Sequence, residues 1–235
     1  MSDDKLPVCA VVGIGPGNGE AIARRFAAEG YAVALMARRT ELTGKLAAEL
    51  KGKAYACDVA DAASVAAAFA AMRKDLGEAD VCVFNAGSGV WGSIEDVSAE
   101  DFERSWRVNT MGLFLTSREV IPAMRRKGKG AIIVIGATAS RRGVAGTAAF
   151  APAKMAQRGL AESMARHLWP AGIHVALIII DGVVDLPATR ARMPDKPREA
   201  FVSPSGVAAI AASLVAQAPS AWSFEVEARP FAEKW

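Results

Sequence analysis

The sequence is poor in the residues that build metal sites and disulfide frameworks. Its 235 residues include three cysteines, Cys9, Cys57 and Cys82, and two histidines, His167 and His174. No two cysteines form a CxxC pair, their number is odd, and each falls in a strand-like run, so buried free thiols in a reducing compartment are expected. The histidines lack ligand spacing with each other or with cysteine, so both are read as structural and no metal is expected. Hydrophobic residues make up 52% of the chain, yet no stretch reaches the roughly 18 uninterrupted apolar residues of a membrane helix. The opening MSDDKLPVCAVVGIG begins with acids and runs straight into a strand, unlike a secretory signal. A cytoplasmic protein without membrane contact is therefore expected. Net charge is +3 and scattered, with no basic stripe for nucleic acid. The run Arg125-Arg126-Lys127-Gly128-Lys129 reads as a solvated helix end, where cations complement the helix dipole. There is no internal repeat and no low-complexity linker, and the length fits one α/β domain with an ample core.

What is present is a strict alternation. The strand-like runs are PVCAVVGI, YAVALMA, KAYAC, DVCVFNAG, AIIVIGA, HVALIII and WSFEVEA. Between them lie helical segments at 19–29, 41–50, 62–76, 99–124, 148–168 and 207–216. Asp58 or Asp61 caps the third of these. The fourth is long and is expected to be interrupted or bent near Gly112 and Pro122. The strands are continuous apolar runs, so both faces are covered, as in a parallel sheet. Alternation with right-handed crossovers gives a doubly wound α/β domain. One long segment, 181–204, is rich in Pro and Arg and is read as an irregular substrate loop. It follows the sixth strand, at the carboxyl edge where open α/β sheets bind ligands.

The loop after the first strand is Gly13-Ile14-Gly15-Pro16-Gly17-Asn18-Gly19, a GxxxGxG pattern on Gly13, Gly17 and Gly19. Glycines there permit a tight turn and let backbone N–H groups approach a pyrophosphate at a helix N-terminus. A carboxylate ending the second strand would bind the 2′-hydroxyl of NAD. This chain instead has Ala37 followed by Arg38 and Arg39, which suit a 2′-phosphate. NADP(H) is the expected cofactor, with NAD(H) as the alternative.

With these features the chain resembles the short-chain dehydrogenase/reductase family. The residues that carry the resemblance are the glycine pattern, Cys57-Asp58-Val59, Asn85-Ala86-Gly87, Val108-Asn109, Lys154 and the tail EVEARPFAEKW. It spans nearly the whole chain. It implies one Rossmann-type dinucleotide-binding domain over 1–235, with a seven-stranded, mostly parallel sheet in the order 3-2-1-4-5-6-7. It also implies roles for individual residues. Asp58 and Val59 would contact adenine, and Asn85, Ala86 and Gly87 would lie beside the cofactor ribose. Asn18 in the glycine loop and Gly182 after the sixth strand would complete the cofactor contacts. Asn109 would hold a water leading to Lys154, which would bond the nicotinamide ribose. A homodimer or homotetramer is implied, built partly on the fourth and fifth helical segments. Ala153, Ala156 and Met164 suit such packing, and equally the chain's own core.

The chain departs from the family where the chemistry is done. Phe150 stands at the tyrosine position four residues before Lys154, and Ala137 at the position of the carbonyl-binding serine. Val12 replaces the hydroxyl residue before the glycine loop, and Asp181-Gly182 replaces proline-glycine. A divergent branch has its tyrosine seven residues before the lysine, and here that position is Thr147. Losing a positioned general acid costs about 10²–10⁴ in rate, and losing an oxyanion donor about 10²–10³ more. Candidates to fill in are Thr138 or Ser140 for the oxygen, Lys154 as acid, and then Asp181 or Asp185. Arg141, Arg142, Arg190 and Arg192 would suit an anionic substrate if they converged, and are otherwise surface charge. Two readings stand: an atypical NADP(H)-dependent oxidoreductase acting on a small carbonyl or related substrate, and a catalytically inactive nucleotide-binding sensor or assembly subunit.

Overall fold

The first strand, β1 (Val8–Val12), shows how the sequence makes two cores from one sheet. All five of its residues are buried. Val8, Ala10 and Val12 point into one apolar cluster, and Cys9 and Val11 into another. Successive strand residues face opposite sides, so a strand apolar at every position must be covered twice.

In the computed structural model, which describes residues 5–232, that strand is an inner strand of a seven-stranded sheet. The others are β2 (Ala32–Ala37), β3 (Lys53–Ala56), β4 (Val81–Phe84), β5 (Gly130–Ile135), β6 (Ile173–Ile180) and β7 (Glu225–Ala228). Their order is β3-β2-β1-β4-β5-β6-β7, as the resemblance implied, and every pairing is parallel. The acidic opening Met1–Asp4 and the last residues of the tail, Glu233–Trp235, lie outside the described residues.

One face is covered by α1 (Asn18–Ala28), α2 (Thr40–Leu50) and α8 (Pro204–Val215), through Ile22, Phe26, Leu46, Val207 and Leu214. The other is covered by α3 (Ala62–Asp75), α5 (Gly112–Lys127) and α6 (Phe150–Leu168), through Phe69, Leu113, Val120 and Leu168. Asp61 caps α3, accepting from the Ala63 N–H at 3.0 Å. The basic run ends α5, with Gly128 in the left-handed region closing it. Among the described residues no helix is long and apolar enough to cross a membrane.

Two elements differ from the sequence expectation. The long helix is interrupted directly before Gly112, as expected, and not at Pro122. It runs as α4 (Ala99–Trp106), one π-helical turn over Arg107–Met111, then α5, with Pro122 inside α5. The interruption is thus centred on Asn109. Gly112 serves packing: a Cβ there would stand 3.0 Å from Val59 and 3.2 Å from Phe84. The segment 181–204 is not irregular either. It holds α7 (Pro187–Arg192) and a short 3₁₀ turn at Arg198–Ala200, and a Val184–Val202 bridge ties its ends together. It forms a strap across the carboxyl edge of the sheet.

Candidate active site

The loops after the parallel strands open on one edge, and two cavities lie along it. The first, about 600 Å³, is lined by the glycine loop, Arg38, Asp58, Val59, residues Asn85–Gly89, Arg104 and Val108. The second, about 660 Å³, is lined by Trp91, Ala137, Thr138, Val144, Phe150 and Lys154, among others. Asn18, Asn85, Gly87, Val184 and Leu186 line both, so the two form one continuous groove under the strap.

The glycine loop is shaped by close approach. Gly13 has φ +97°, and a Cβ on it would lie 2.4 Å from the Ala86 nitrogen. A Cβ on Gly19 would lie 2.5 Å from the Gly13 oxygen. Asn85 Nδ2 donates to that same oxygen at 2.7 Å, joining β4 to the loop. Gly17, at φ +112°, faces Leu186 of the strap. Gly15 has open space around it, which agrees with the GxxxGxG reading. Main-chain N–H groups of the first turn of α1 border the first cavity, so the residues present fit the diphosphate of a dinucleotide.

At the far end of this cavity Arg38 lines the wall while Arg39 does not. Arg39 is exposed and stands at the N-cap of α2. One arginine, not a pair, therefore faces the groove from β2. Arg104, on α4, lines the same cavity; nothing in its sequence surroundings marks it. Asp58 folds back locally, its Oδ1 accepting from the Ala60 N–H at 3.0 Å.

Lys154 is buried and lines the second cavity, beside Gly87, which lines both. Its Nζ donates to the Ile135 carbonyl and to Gln157 Oε1, each at 3.0 Å. Burial pushes its pKa down from 10.5 to about 7. Gln157 is wholly buried, and its Nε2 donates to the Asn109 carbonyl at 2.9 Å. This side chain thus joins the Asn109 main chain directly to Lys154. Asn109 itself sits in the π turn, and its Nδ2 donates to Ser105 O at 2.8 Å and Ser88 O at 3.2 Å. Gln157 has no motif of its own; its position three residues after Lys154 on a helix is the signal that sequence reading missed.

The second cavity is apolar and aromatic. Phe150 lies against Trp91, with ring centroids 5.2 Å apart. Of the substitutes for the missing serine, Thr138 lines the cavity, but its hydroxyl donates to Asp181 Oδ1 at 2.6 Å. Ser140 is buried, and its Oγ accepts from the Ala137 N–H at 3.1 Å. Thr147 Oγ donates to the Val144 carbonyl at 2.8 Å. Asp181 pairs with Arg229 at 2.5 Å, Asp185 pairs with Arg190, and neither lines the cavity. The arginines do not converge: Arg141 is held by Glu225 and Glu227, Arg192 is exposed, and only Arg142 lines the cavity. His174 is buried between the Leu214 and Ser223 carbonyls and stacks on Trp222, far from this edge in the fold. The three cysteines are buried and free, and Cys57 borders the first cavity.

The model of a family described as short chain dehydrogenase matches residues 7–197. The 2-(R)-hydroxypropyl-CoM dehydrogenase of Xanthobacter autotrophicus is 35% identical over 200 residues, covering 81% of this chain and 79% of that protein. The crystal structure of a short-chain dehydrogenase from Rhodopseudomonas palustris is 35% identical with a TM-score of 0.82, covering 96% of this chain and 99% of that one. An alcohol dehydrogenase from the archaeon Thermococcus sibiricus, complexed with 5-hydroxy-NADP, gives a TM-score of 0.86 at 26% identity, covering 97% and 98%.

Proposed function

The chain belongs to the short-chain dehydrogenase family, and on that premise we propose that it is an NADP(H)-dependent oxidoreductase acting on a small apolar carbonyl compound or the corresponding alcohol. The observation that carries this reading is the continuous groove, whose glycine-lined end and apolar, aromatic end share Asn18, Asn85 and Gly87, with Lys154 lining the apolar end. A bound nicotinamide would supply or accept the hydride. Gly13, Gly17, Asn18 and Gly19 would hold the diphosphate, Asp58 and Val59 the adenine, and Asn85, Ala86 and Gly87 the ribose side. Lys154 and Gly182 would border the nicotinamide. Arg38 would face the 2′-phosphate, with bidentate hydrogen bonds that a 2′-hydroxyl cannot use. The NADP derivative held by the Thermococcus protein supports this choice.

The test is a calorimetric titration with NADPH and NADH. Micromolar NADPH binding and at least tenfold weaker NADH binding are expected. Arg38→Ala should erase most of the difference, since a charge-assisted pair is worth about 1.5–3 kcal/mol. Equal affinities would overturn the NADP(H) assignment, and no binding of either would overturn the oxidoreductase reading.

A second reading, a nucleotide-binding protein without turnover, is favoured by Phe150 and Ala137 together. It requires tight NADPH binding and no NADPH oxidation across a broad carbonyl and enoyl panel. We place the protein in the cytoplasm as a homodimer or homotetramer of this single domain, with no nucleic-acid or membrane partner.

A further inference from the structure

We infer that Gln157 is a positioning residue that fits Lys154 to serve as the acid–base group of the cavity, the role that Phe150 cannot fill. The inference rests on the oxidoreductase reading and deepens it.

The hydrogen bonds around Gln157 admit one orientation. The Asn109 main-chain oxygen can only accept, so the Gln157 group 2.9 Å away must be its NH₂. Its oxygen therefore faces Lys154 Nζ at 3.0 Å and can only accept in turn. The second partner of Nζ is the Ile135 carbonyl, again an acceptor. Two hydrogens of Nζ are thus committed, and both exist in the amine as well as in the ammonium. Only the remaining tetrahedral position changes on protonation. It carries either a third proton or a lone pair.

That position is the one open to a ligand, because Lys154 lines the cavity. Gly87 keeps the space beside it clear: a Cβ there would stand 3.8 Å from Nζ and 3.4 Å from Asn109 Oδ1. Asn109 Oδ1 is buried without a hydrogen-bond partner among the described residues, so the same spot also offers an acceptor to a ligand hydroxyl. Nζ is met by Ile135 of β5 and Gln157 of α6, and the cavity it lines also takes in Thr138, whose proton goes to Asp181. Arg142 is the one other charged side chain lining the cavity, and it lies 3.9 Å from Asp181. With burial the only cause acting on it, Lys154 exchanges its proton near neutrality.

The chemistry then balances without a tyrosine. A bound reduced nicotinamide would supply hydride to the carbonyl carbon, which would leave the C=O π pair on oxygen. That oxygen takes the third proton of Nζ. Lys154 is left as an amine with both committed N–H bonds unchanged, and it regains a proton from solvent through the cavity after the alcohol leaves. In the reverse direction its lone pair takes the hydroxyl proton. Gln157 does not ionise, so it closes the inward side of the path.

The test reads the titration of Lys154 in cofactor-free protein by NMR of ¹³C-labelled lysine, with Lys154→Met for assignment, in the wild type and in Gln157→Met. A wild-type midpoint near neutrality is expected. In Gln157→Met it should fall by about one pH unit, since the ammonium loses more than the amine when an acceptor is removed. With NADPH and a panel of apolar aldehydes and ketones, kcat should drop about 10–100-fold. The decline of kcat/KM at high pH should move down with the titration, and the Kd for NADPH should stay within about threefold. A Lys154 midpoint near 10 in the wild type overturns the inference. So does a Gln157→Met protein that binds NADPH normally and leaves both the titration and the pH profile unmoved. If the titrations behave as expected while NADPH is never oxidised, the oxidoreductase reading fails and takes the acid–base role with it. If NADPH is oxidised with a pH profile indifferent to Gln157, the inference alone fails.

Discussion

At Lys154, stability is set against binding. A lysine buried with no carboxylate partner among the described residues resists its charge, and its pKa falls from 10.5 to about 7. Between those values the unfolded chain holds a proton that the folded chain does not, so stability rises with pH across that window. Below it both states are protonated and the folded state carries the whole cost, roughly 3–5 kcal/mol. Lys154→Met should therefore stabilise the cofactor-free protein at pH 6–7 and flatten the rise towards pH 10. Urea unfolding at a series of pH values reads this, and an unchanged slope would refute it. Phe150 and Ala137 set a second expectation. Neither neighbouring hydroxyl is placed to replace the serine, because the Thr138 proton goes to Asp181 and Ser140 does not line the cavity. Phe150→Tyr with Ala137→Ser restores both donors on an unchanged frame. Carbonyl reduction should increase by about 10²–10⁴, the worth of a positioned general acid. A double variant that binds NADPH but gains nothing would show that the pocket has been reshaped beyond those two hydroxyls.

At the scale of elements, the π turn at Arg107–Met111 decides the geometry around Asn109. A break near Gly112 was legible in the sequence, but its form as a π turn centred on Asn109 was not. Gly112 and Pro122 are the residues that usually signal one, and here Gly112 serves close packing while Pro122 is absorbed within α5. A π turn leaves no composition signal, because it is held by partners distant in sequence: Ser88, Gln157 and, through Thr110, the Ala153 carbonyl at 2.8 Å. The strap was missed for a related reason. Its Pro and Arg content reads as loop, and its order comes from tertiary ties such as the Val184–Val202 bridge. Gly112→Ala tests the junction. The new methyl would meet Val59 at 3.0 Å and Phe84 at 3.2 Å, so α5 must shift. A loss of about 1–3 kcal/mol is expected from overpacking, measured as a lower urea midpoint. A neutral result would mean that α5 yields without cost.

For the whole molecule, the sheet was readable because it is parallel and covered twice. The inner strands β1, β2, β4, β5 and β6 are apolar at nearly every position, and the two buried clusters take alternate residues. The glycine loop at one end of the groove was readable too, since glycine spacing is dictated by backbone contact. The apolar end was not, because cavity walls such as Trp91 and Leu186 come from segments with no pattern. The same limit applies to assembly. Of the residues singled out for helix packing, Ala153 is buried and Met164 packs against the chain's own core. The apolar side chains left on the surface of α4, α5 and α6 are Phe102, Trp106, Phe114 and Met155, each more than a third exposed. Three of these are aromatic, a residue class enriched in interfaces between chains. An oligomer built on this face should dissociate when charge is placed in it, since burying an unpaired carboxylate costs several kcal/mol. Trp106→Asp with Phe114→Asp should sediment as a monomer while keeping its NADPH affinity, because neither residue lines the groove. A double variant that keeps the wild-type sedimentation coefficient, or a wild type that is already monomeric, would remove this face as the site of assembly.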